Sequence, residues 1–268
     1  KQASAAVRAG LREDVPEALI VVGGDGTVHA ILEAAADGGI PVGIIPAGSG
    51  NDLARSLGIP ADPVAAWETV RRGRAGWMDL LSAGGKLCVN IAGAGLDAEV
   101  ADQTERSPLK KWLNRFGIGQ AVYVWSLIKV LFTYRPESVI MTMDGRPARL
   151  DRVWLIAMAN LPYYGGGMRI CPDARANDGM MDICVVAGVS RIGLLRAFPK
   201  VYRGAHRNHP AVAFFRAEHV RIETAAPESA LKLHGDGEPI GRTPIEAAVH
   251  RRKLLIIATE RSSSFCTY

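Results

Sequence analysis

The sequence predicts two domains: an α/β N-terminal domain with a parallel sheet flanked by helices, and a mainly antiparallel, β-rich second domain. Three observations carry this. Residues 1–77 alternate apolar runs, glycine turns and helical segments in the β-α-β-α rhythm of a parallel sheet. Beyond Trp77 short apolar or alternating runs dominate, interrupted by two helical insertions. The length of 268 residues is near two domains at roughly 150 residues each. The boundary is placed at 77/78, the second domain spans 78–268, and the last residues are expected to return to the first.

In order, residues 1–12 are Ala-rich and read as an amphipathic helix, and Leu19-Ile20-Val21-Val22 reads as a buried parallel strand. A glycine turn at 23–26 leads to a helix ending near Asp37 and then a strand at 42–45. A second glycine turn at 48–50 leads to a helix ending near Leu57, and Asp62 caps a further helix that opens at Pro63. In the second domain strands are expected at 78–81, 87–91, 139–143, 153–159, 181–187, 220–224, 231–234 and 254–258. The helical insertions are 109–134 and a helix capped by Ser190 that runs to about Tyr202.

Composition narrows the function. With 48% hydrophobic and 22% charged residues, a chain of this length builds its core without metal or disulfide staples. Lys+Arg 32 against Asp+Glu 27 leaves +5, spread along the chain, so no nucleic-acid partner is expected; acidic small molecules and an anionic membrane surface stay open. Cys88, Cys171, Cys184 and Cys266 are widely separated and form no CxxC pair, which suits a reducing cytoplasm. The longest apolar run, 120–132, contains Lys129 and falls short of the roughly 20 residues that cross a bilayer. No secretory leader is recognised at the start.

The sharpest chemical feature is Val21-Val22-Gly23-Gly24-Asp25-Gly26-Thr27, where an apolar strand ends in glycines and a helix follows at once. Unpaired N–H groups at the positive end of the helix dipole make such a turn an anion cradle. Glycine allows backbone to approach phosphate closely, Thr27 adds a hydroxyl donor, and Asp25 suits a hydrated magnesium. The same spacing also suits an ordinary strand-to-helix turn with a structural aspartate. Ile45-Pro46-Ala47-Gly48-Ser49-Gly50-Asn51-Asp52-Leu53-Ala54-Arg55 repeats the arrangement one β-α unit later, so both turns should lie at the carboxyl ends of neighbouring strands, where open α/β sheets bind ligands. Arg55, one helical turn beyond Asn51, is either a phosphate donor or a solvated helix arginine.

Together, Gly23-Gly24-Asp25-Gly26-Thr27 and Gly48-Ser49-Gly50-Asn51-Asp52-Leu53-Ala54-Arg55 resemble the diacylglycerol kinase catalytic family, which includes bacterial soluble lipid kinases and sphingosine and ceramide kinases. NAD kinases and phosphofructokinases have turns like the first motif; the second separates lipid kinases from both. The similarity continues through Asp79, residues 90–98 and 172–182, and Asp236-Gly237-Glu238. The resemblance implies a β-sandwich-like second domain and an active site in the interdomain cleft, with ATP held there by Gly23, Gly24, Asp25, Gly26, Thr27, Gly48, Ser49, Gly50, Asn51, Asp52 and Arg55. It implies Mg2+ near Asp25, Asp52 and Asp79, and a structural cation at Asp178 and Met180. Asp236 is the expected catalytic base, with Glu238 beside it in the cleft or on the magnesium side. Asp-Gly is also the commonest hairpin turn pair, which is the reading given to Asp144-Gly145.

Ser49 stands where the family has threonine, and the hydroxyl is kept. The family opens with a strand carrying an Asn-Pro-x-Ser/Ala-Gly turn; this sequence begins on what would be the next helix, so part of the nucleotide site is expected ahead of Lys1. Gly93-Ala94-Gly95-Leu96-Asp97-Ala98 spells GxGxxA, but no parallel β-α units follow it, and by resemblance it is a turn and helix start in the second domain. His206 and His209 lack a third ligand nearby and read as a surface pair rather than a zinc site. Aromatic residues Trp112, Phe116, Tyr123, Trp125, Phe132 and Tyr134, interleaved with Lys110, Lys111, Arg115, Lys129 and Arg135, suit either a membrane interface or a core helix with snorkelling bases.

The expected function is an ATP- and Mg2+-dependent kinase phosphorylating the hydroxyl of a membrane lipid, diacylglycerol first. The expected setting is cytoplasmic and peripheral at the inner face of the membrane, with a homodimer allowed. The alternatives are an NAD kinase-like small-molecule kinase and a non-catalytic nucleotide or lipid sensor on the same fold.

Overall fold

The computed structural model describes residues 2–13, 16–106, 119–226 and 228–259. The chain opens with α1 (Gln2–Glu13), β1 (Leu19–Gly23), α2 (Asp25–Gly38), β2 (Val42–Pro46), α3 (Asp52–Ser56) and α4 (Pro63–Arg72). β1 and β2 are parallel, from Leu19 opposite Val42 to Gly23 opposite Pro46. The Ala-rich α2 lies close on these strands, burying Val28, Ile31, Leu32 and Ala35 in one cluster with Val21, Val42 and Ile44. Gly39, in the left-handed region at φ 61°, ends the helix by donating its N–H to Ala35 O. As the sequence predicts, Asp62 caps α4 by accepting from Ala65 N, with Pro63 in the first turn.

Next come β3 (Arg74–Ala83), β4 (Lys86–Cys88), β5 (Ile91–Gly95), α5 (Leu96–Arg106), α6 (Gly119–Thr133), β6 (Glu137–Met143), β7 (Arg146–Ala159), β8 (Tyr163–Tyr164) and β9 (Met168–Arg169). They are followed by β10 (Met181–Ala187), α7 (Arg191–Val201), a 3-10 turn (Ala205–Asn208), β11 (Val212–Ala217), β12 (His219–Thr224), β13 (Lys232–Gly235), β14 (Glu238–Arg242) and β15 (Ile245–Ala258). Among the described residues the hydrogen-bonded path runs β1-β2-β15-β12-β6-β7-β5-β13-β14, with β10–β11 branching from β7 and β3–β4 from β15.

β15 ties the halves together. It runs antiparallel to β12 and β3, and at Ile256 it pairs in parallel with Val42 of β2. The β3–β15 register shifts between His250 and Leu254, where Arg252 adopts φ 51°. Asp79 on β3 holds this bulge: its carboxylate accepts Arg252 N at 2.7 Å and Gly179 N at 2.8 Å.

Two expectations need correction here. The run 87–91 is two strands with a corner at Val89–Asn90, because the N–H groups of residues 89–91 turn to the Asp236 carboxylate instead of a neighbouring strand. Gly93 and Gly95 lie inside β5 rather than in a turn, although a helix does start at Leu96. Glycine is required at 93 by space: a Cβ would sit 2.5 Å from Asp97 Oδ2 and 2.6 Å from His234 Nε2. β11 and β14 escaped the sequence reading; β14 is Glu-Pro-Ile-Gly-Arg, whose proline and glycine an end strand tolerates.

Of the aromatic-basic segment, Lys110, Lys111, Trp112, Arg115 and Phe116 lie outside the described residues. Helix α6 buries Leu127, Val130 and Leu131, and exposes Trp125 (55%) and Phe132 (66%) with Lys129 between them. The spacing i, i+4, i+7 puts these three on one face. The Lys129 ammonium lies 5.4 Å from the centre of the Trp125 ring. Among the described residues no helix is long and apolar enough to cross a membrane.

Candidate active site

Because β1 and β2 are parallel neighbours, their glycine turns emerge side by side and touch. A Cβ on Gly48 would lie 2.5 Å from Gly24 Cα, and one on Gly24 would lie 2.9 Å from Gly48 Cα. Asn51, at φ 52°, closes the second turn by accepting Gly48 N at 2.9 Å and donating to Gly48 O at 2.7 Å. Asp25 reaches across from the first turn and accepts Asp52 N at 3.0 Å and Leu53 N at 2.9 Å, capping α3 from another element. The two turns therefore behave as one unit.

Asp52, 4% exposed, accepts Gly166 N at 2.7 Å and pairs with Arg55. Burial raises its carboxyl above the ordinary range, and the Asp25 charge adds to this against the Gly166 N–H and Arg55. Arg55 in turn lies over the Tyr163 ring. Gly165, Gly166 and Gly167 all have positive φ, so this loop can bring its amides to the Asp52 wall.

The opposite wall is the β13–β14 hairpin. Gly235 pairs with Glu238, and Asp236 and Gly237, at φ 49° and 89°, form the two-residue turn between them. The hairpin-turn reading of Asp236-Gly237 holds; both residues also line the cleft, while the Asp236 carboxylate is buried against the 89–91 corner. Oδ1 accepts Asn90 N at 2.9 Å and Ile91 N at 3.1 Å; Oδ2 accepts Val89 N at 2.6 Å and lies 3.3 Å from His29 Nδ1. That bond to Asp236 raises the His29 pKa despite partial burial of the ring. Asp144-Gly145 is a hairpin turn of the same kind between Met143 and Arg146.

Between these walls lies a cleft of about 390 Å³, lined by Gly24, Asp25, Gly26, Gly48, Ser49, Gly50, Asp52 and Gly166 on one side and Asn90, Asp97, His234 and Asp236 on the other, with Tyr164 also lining it. Of the other expected residues, Asn51 and Arg55 brace the turns. Thr27 packs over Gly23, where a Cβ would meet its Oγ1 at 2.4 Å. Glu238 is exposed on β14, and Asp79 is engaged in the β15 bulge; neither lines the cleft. Asp178 accepts Met180 N at 3.1 Å and pairs with Arg216, which also approaches Asp182 at 3.6 Å, so an arginine already supplies positive charge there.

A narrow apolar cavity of about 70 Å³ lies beneath α5, α6 and α7, lined among others by Leu127, Leu131, Leu155, Val186, Leu194 and Phe198. It shares Asp97 and Tyr164 with the polar cleft. His206 also lines it, which corrects the surface-pair expectation: the ring is 2% exposed and its Nε2 bonds Ile170 O at 2.9 Å. Sequence reasoning missed His29, Asn90, Asp97, Tyr164, the glycines at 165–167 and His234, whose Nε2 lies 2.9 Å from Asp97 Oδ2. Three consecutive glycines were a usable signal; a lone histidine inside a helix was not.

Among the described residues no group of three or more His, Cys, Asp and Glu is arranged to hold a metal. Asp25 and Asp52 nevertheless fit magnesium. Both flank Gly50, where a Cβ would lie 3.1 Å from Asp25 Oδ2 and 3.8 Å from Asp52 Oδ2. Burial chiefly raises the Asp52 carboxyl and the nearby Asp25 charge adds to it, and Mg2+ binds through few carboxylates and several waters.

Paired glycine turns facing an acid-bearing hairpin across a cleft, on a parallel sheet joined to an antiparallel one, define a two-domain phosphotransferase. The chain belongs to the diacylglycerol kinase family of lipid kinases. Residues 1–83 match the diacylglycerol kinase catalytic domain, and residues 90–258 match the YegS C-terminal NAD kinase beta sandwich-like domain. The chain is 33% identical over 231 residues to a diacylglycerol kinase of Mycobacterium tuberculosis, covering 83% of this chain and 70% of that protein. It is 31% identical over 246 residues to a diacylglycerol kinase of Bacillus subtilis, covering 90% and 77%. A crystal structure of a putative diacylglycerol kinase from Bacillus anthracis shares the fold, with TM-score 0.77, 23% identity and coverage of 97% of this chain and 83% of that one.

Proposed function

We propose that this chain is an ATP- and Mg2+-dependent lipid kinase that moves the γ-phosphoryl group to the hydroxyl of a membrane lipid, diacylglycerol being the first candidate. One observation carries the lipid assignment: the polar cleft and the apolar cavity meet at Asp97 and Tyr164. A hydroxyl can face phosphate while the first methylenes beside it enter the apolar cavity. The amides of the two glycine turns would cradle the phosphates, and Asp25 and Asp52 would hold the metal through its waters. Bound magnesium neutralises charge on the phosphates. Asp236 is the base that orients and deprotonates the acceptor, since phosphoryl transfer needs little else beyond positioning and charge.

The test is to supply γ-labelled ATP, magnesium and diacylglycerol vesicles and follow the label. Label in the organic phase as phosphatidic acid supports the reading. Label transferred to NAD in water would replace it with a small-molecule kinase, and ATP binding without turnover would replace it with a sensor.

The exposed face of α6 supports peripheral docking at the inner, anionic face of the membrane, because Trp125 and Phe132 offer ring surface at headgroup depth and Lys129 meets the phosphates. Trp125→Ser combined with Phe132→Ser is expected to lower the fraction sedimenting with anionic vesicles. Unchanged sedimentation in a folded variant would rule this face out.

A further inference from the structure

The Asp236 carboxylate offers about four lone-pair positions. Four contacts meet them: three backbone N–H groups from the 89–91 corner, and His29 Nδ1. The side chain has no exposed surface. The three amides are fixed by the corner between β4 and β5. His29 is held differently: it belongs to α2 of the other domain, its contact is the longest of the four at 3.3 Å, and its ring is 20% exposed, so a rotamer change can release it. A hydroxyl that replaced His29 would gain a place on Asp236.

That exchange has a cost. The bond between imidazole and carboxylate is charge-assisted, and the His29 pKa is raised first by this bond and further by Asp236 and Glu238, with burial and Lys86 opposing. On its own helix, Asp25 and Glu33 stand four residues to either side. Water entering the cleft brings a hydroxyl and nothing more. A lipid brings apolar chain as well, and burial of its first methylenes in the neighbouring cavity can offset the displacement, so binding energy from remote groups does work at the reacting centre.

We propose that His29 is a specificity-determining positioning residue that reserves Asp236 for the lipid hydroxyl and withholds it from water. The inference rests on the reading of Asp236 as the base. Without His29, water occupies the open position: its proton passes to Asp236, its oxygen bonds the γ-phosphorus, and the γ-phosphorus–bridging oxygen bond breaks to give ADP and inorganic phosphate.

The test uses the full chain and its His29→Leu, His29→Asn and Asp236→Asn variants, with ATP and magnesium, in the presence and absence of diacylglycerol vesicles. Free phosphate and phosphorylated lipid are measured in the same samples. The ratio of hydrolysis to lipid phosphorylation is expected to rise about tenfold or more in His29→Leu. It is expected to return toward wild type in His29→Asn, whose Nδ2 donates from the position of the imidazole Nδ1. In the doubly substituted protein, His29→Leu with Asp236→Asn, the added hydrolysis should vanish. An unchanged ratio in His29→Leu, or an equal rise in His29→Asn, overturns the proposal. Should His29→Leu fail to unfold cooperatively on heating, His29→Ala is judged by the same criterion. If Asp236→Asn still phosphorylates lipid, the base assignment itself is wrong. If it is inactive while His29→Leu keeps the wild-type ratio, only the role of His29 is wrong.

Discussion

Asp236→Asn is expected to lower lipid phosphorylation by about 10²- to 10⁴-fold, the usual contribution of a positioned general base. ATP affinity should change by less than a few-fold, because the glycine turns proposed to cradle the phosphates are not among the hydrogen-bond partners of this side chain. The variant should also be less stable. An amide keeps one acceptor oxygen, which can satisfy Asn90 N and Ile91 N, but its NH2 then points at Val89 N, now 2.6 Å from Oδ2. A donor facing a donor in a buried corner costs about 1–3 kcal/mol. Steady-state kinetics, binding of an ATP analogue and thermal unfolding read the three effects separately. Activity within about tenfold of wild type, roughly 1.4 kcal/mol of barrier, would remove Asp236 from the role of base.

Gly48→Ala should act on the other wall, and through nucleotide binding. The new Cβ would sit 2.5 Å from Gly24 Cα, 2.9 Å from Asn51 Oδ1 and 3.1 Å from Gly24 N. Carbon atoms need about 3.5 Å or more, so the two turns must separate by on the order of 1 Å. The obstacle is backbone, which cannot rotate out of the way as a side chain can. Overpacking of this kind costs about 1–3 kcal/mol. The KM for ATP should rise at least about tenfold, since the amide cradle depends on both turns keeping their spacing. Gly26→Ala is the stability control: a Cβ there meets nothing within 4 Å. Equal thermal stability for the two variants would show that the contact between the turns does not matter.

These expectations mark how far the residues speak for themselves. Local structure was legible where a residue's conformational demand is its own. The apolar runs at 19–22 and 42–45 form strands, followed by the glycine turns, and the Asp62–Pro63 and Ser190 caps fold as read, because each depends on neighbours within a few positions. The expected burial of 19–22 is corrected, since β1 buries Val21 but leaves Ile20 and Val22 40% and 63% exposed. The aspartates were legible only as charges. Asp25, Asp52, Asp79, Asp178 and Asp236 look alike in sequence, yet one caps a helix across two loops, one lies buried against Gly166, one staples a bulge, one pairs with Arg216 and one accepts three amides. The corner at Val89–Asn90 was hidden for the same reason, since its bonds go to a carboxylate 147 positions away at the farthest.

The amino-acid sequence by itself determined the β-α-β-α order of the first domain, the two neighbouring glycine turns and, through their motifs, the family, because helix caps, glycine turns and strand periodicity are short-range properties. Only the tertiary structure decided which acids share the cleft, that His29 meets Asp236 from 207 residues away, and that the apolar cavity shares Asp97 and Tyr164 with the polar cleft. Those depend on burial and hydrogen bonding between segments remote along the chain, and no local preference encodes them.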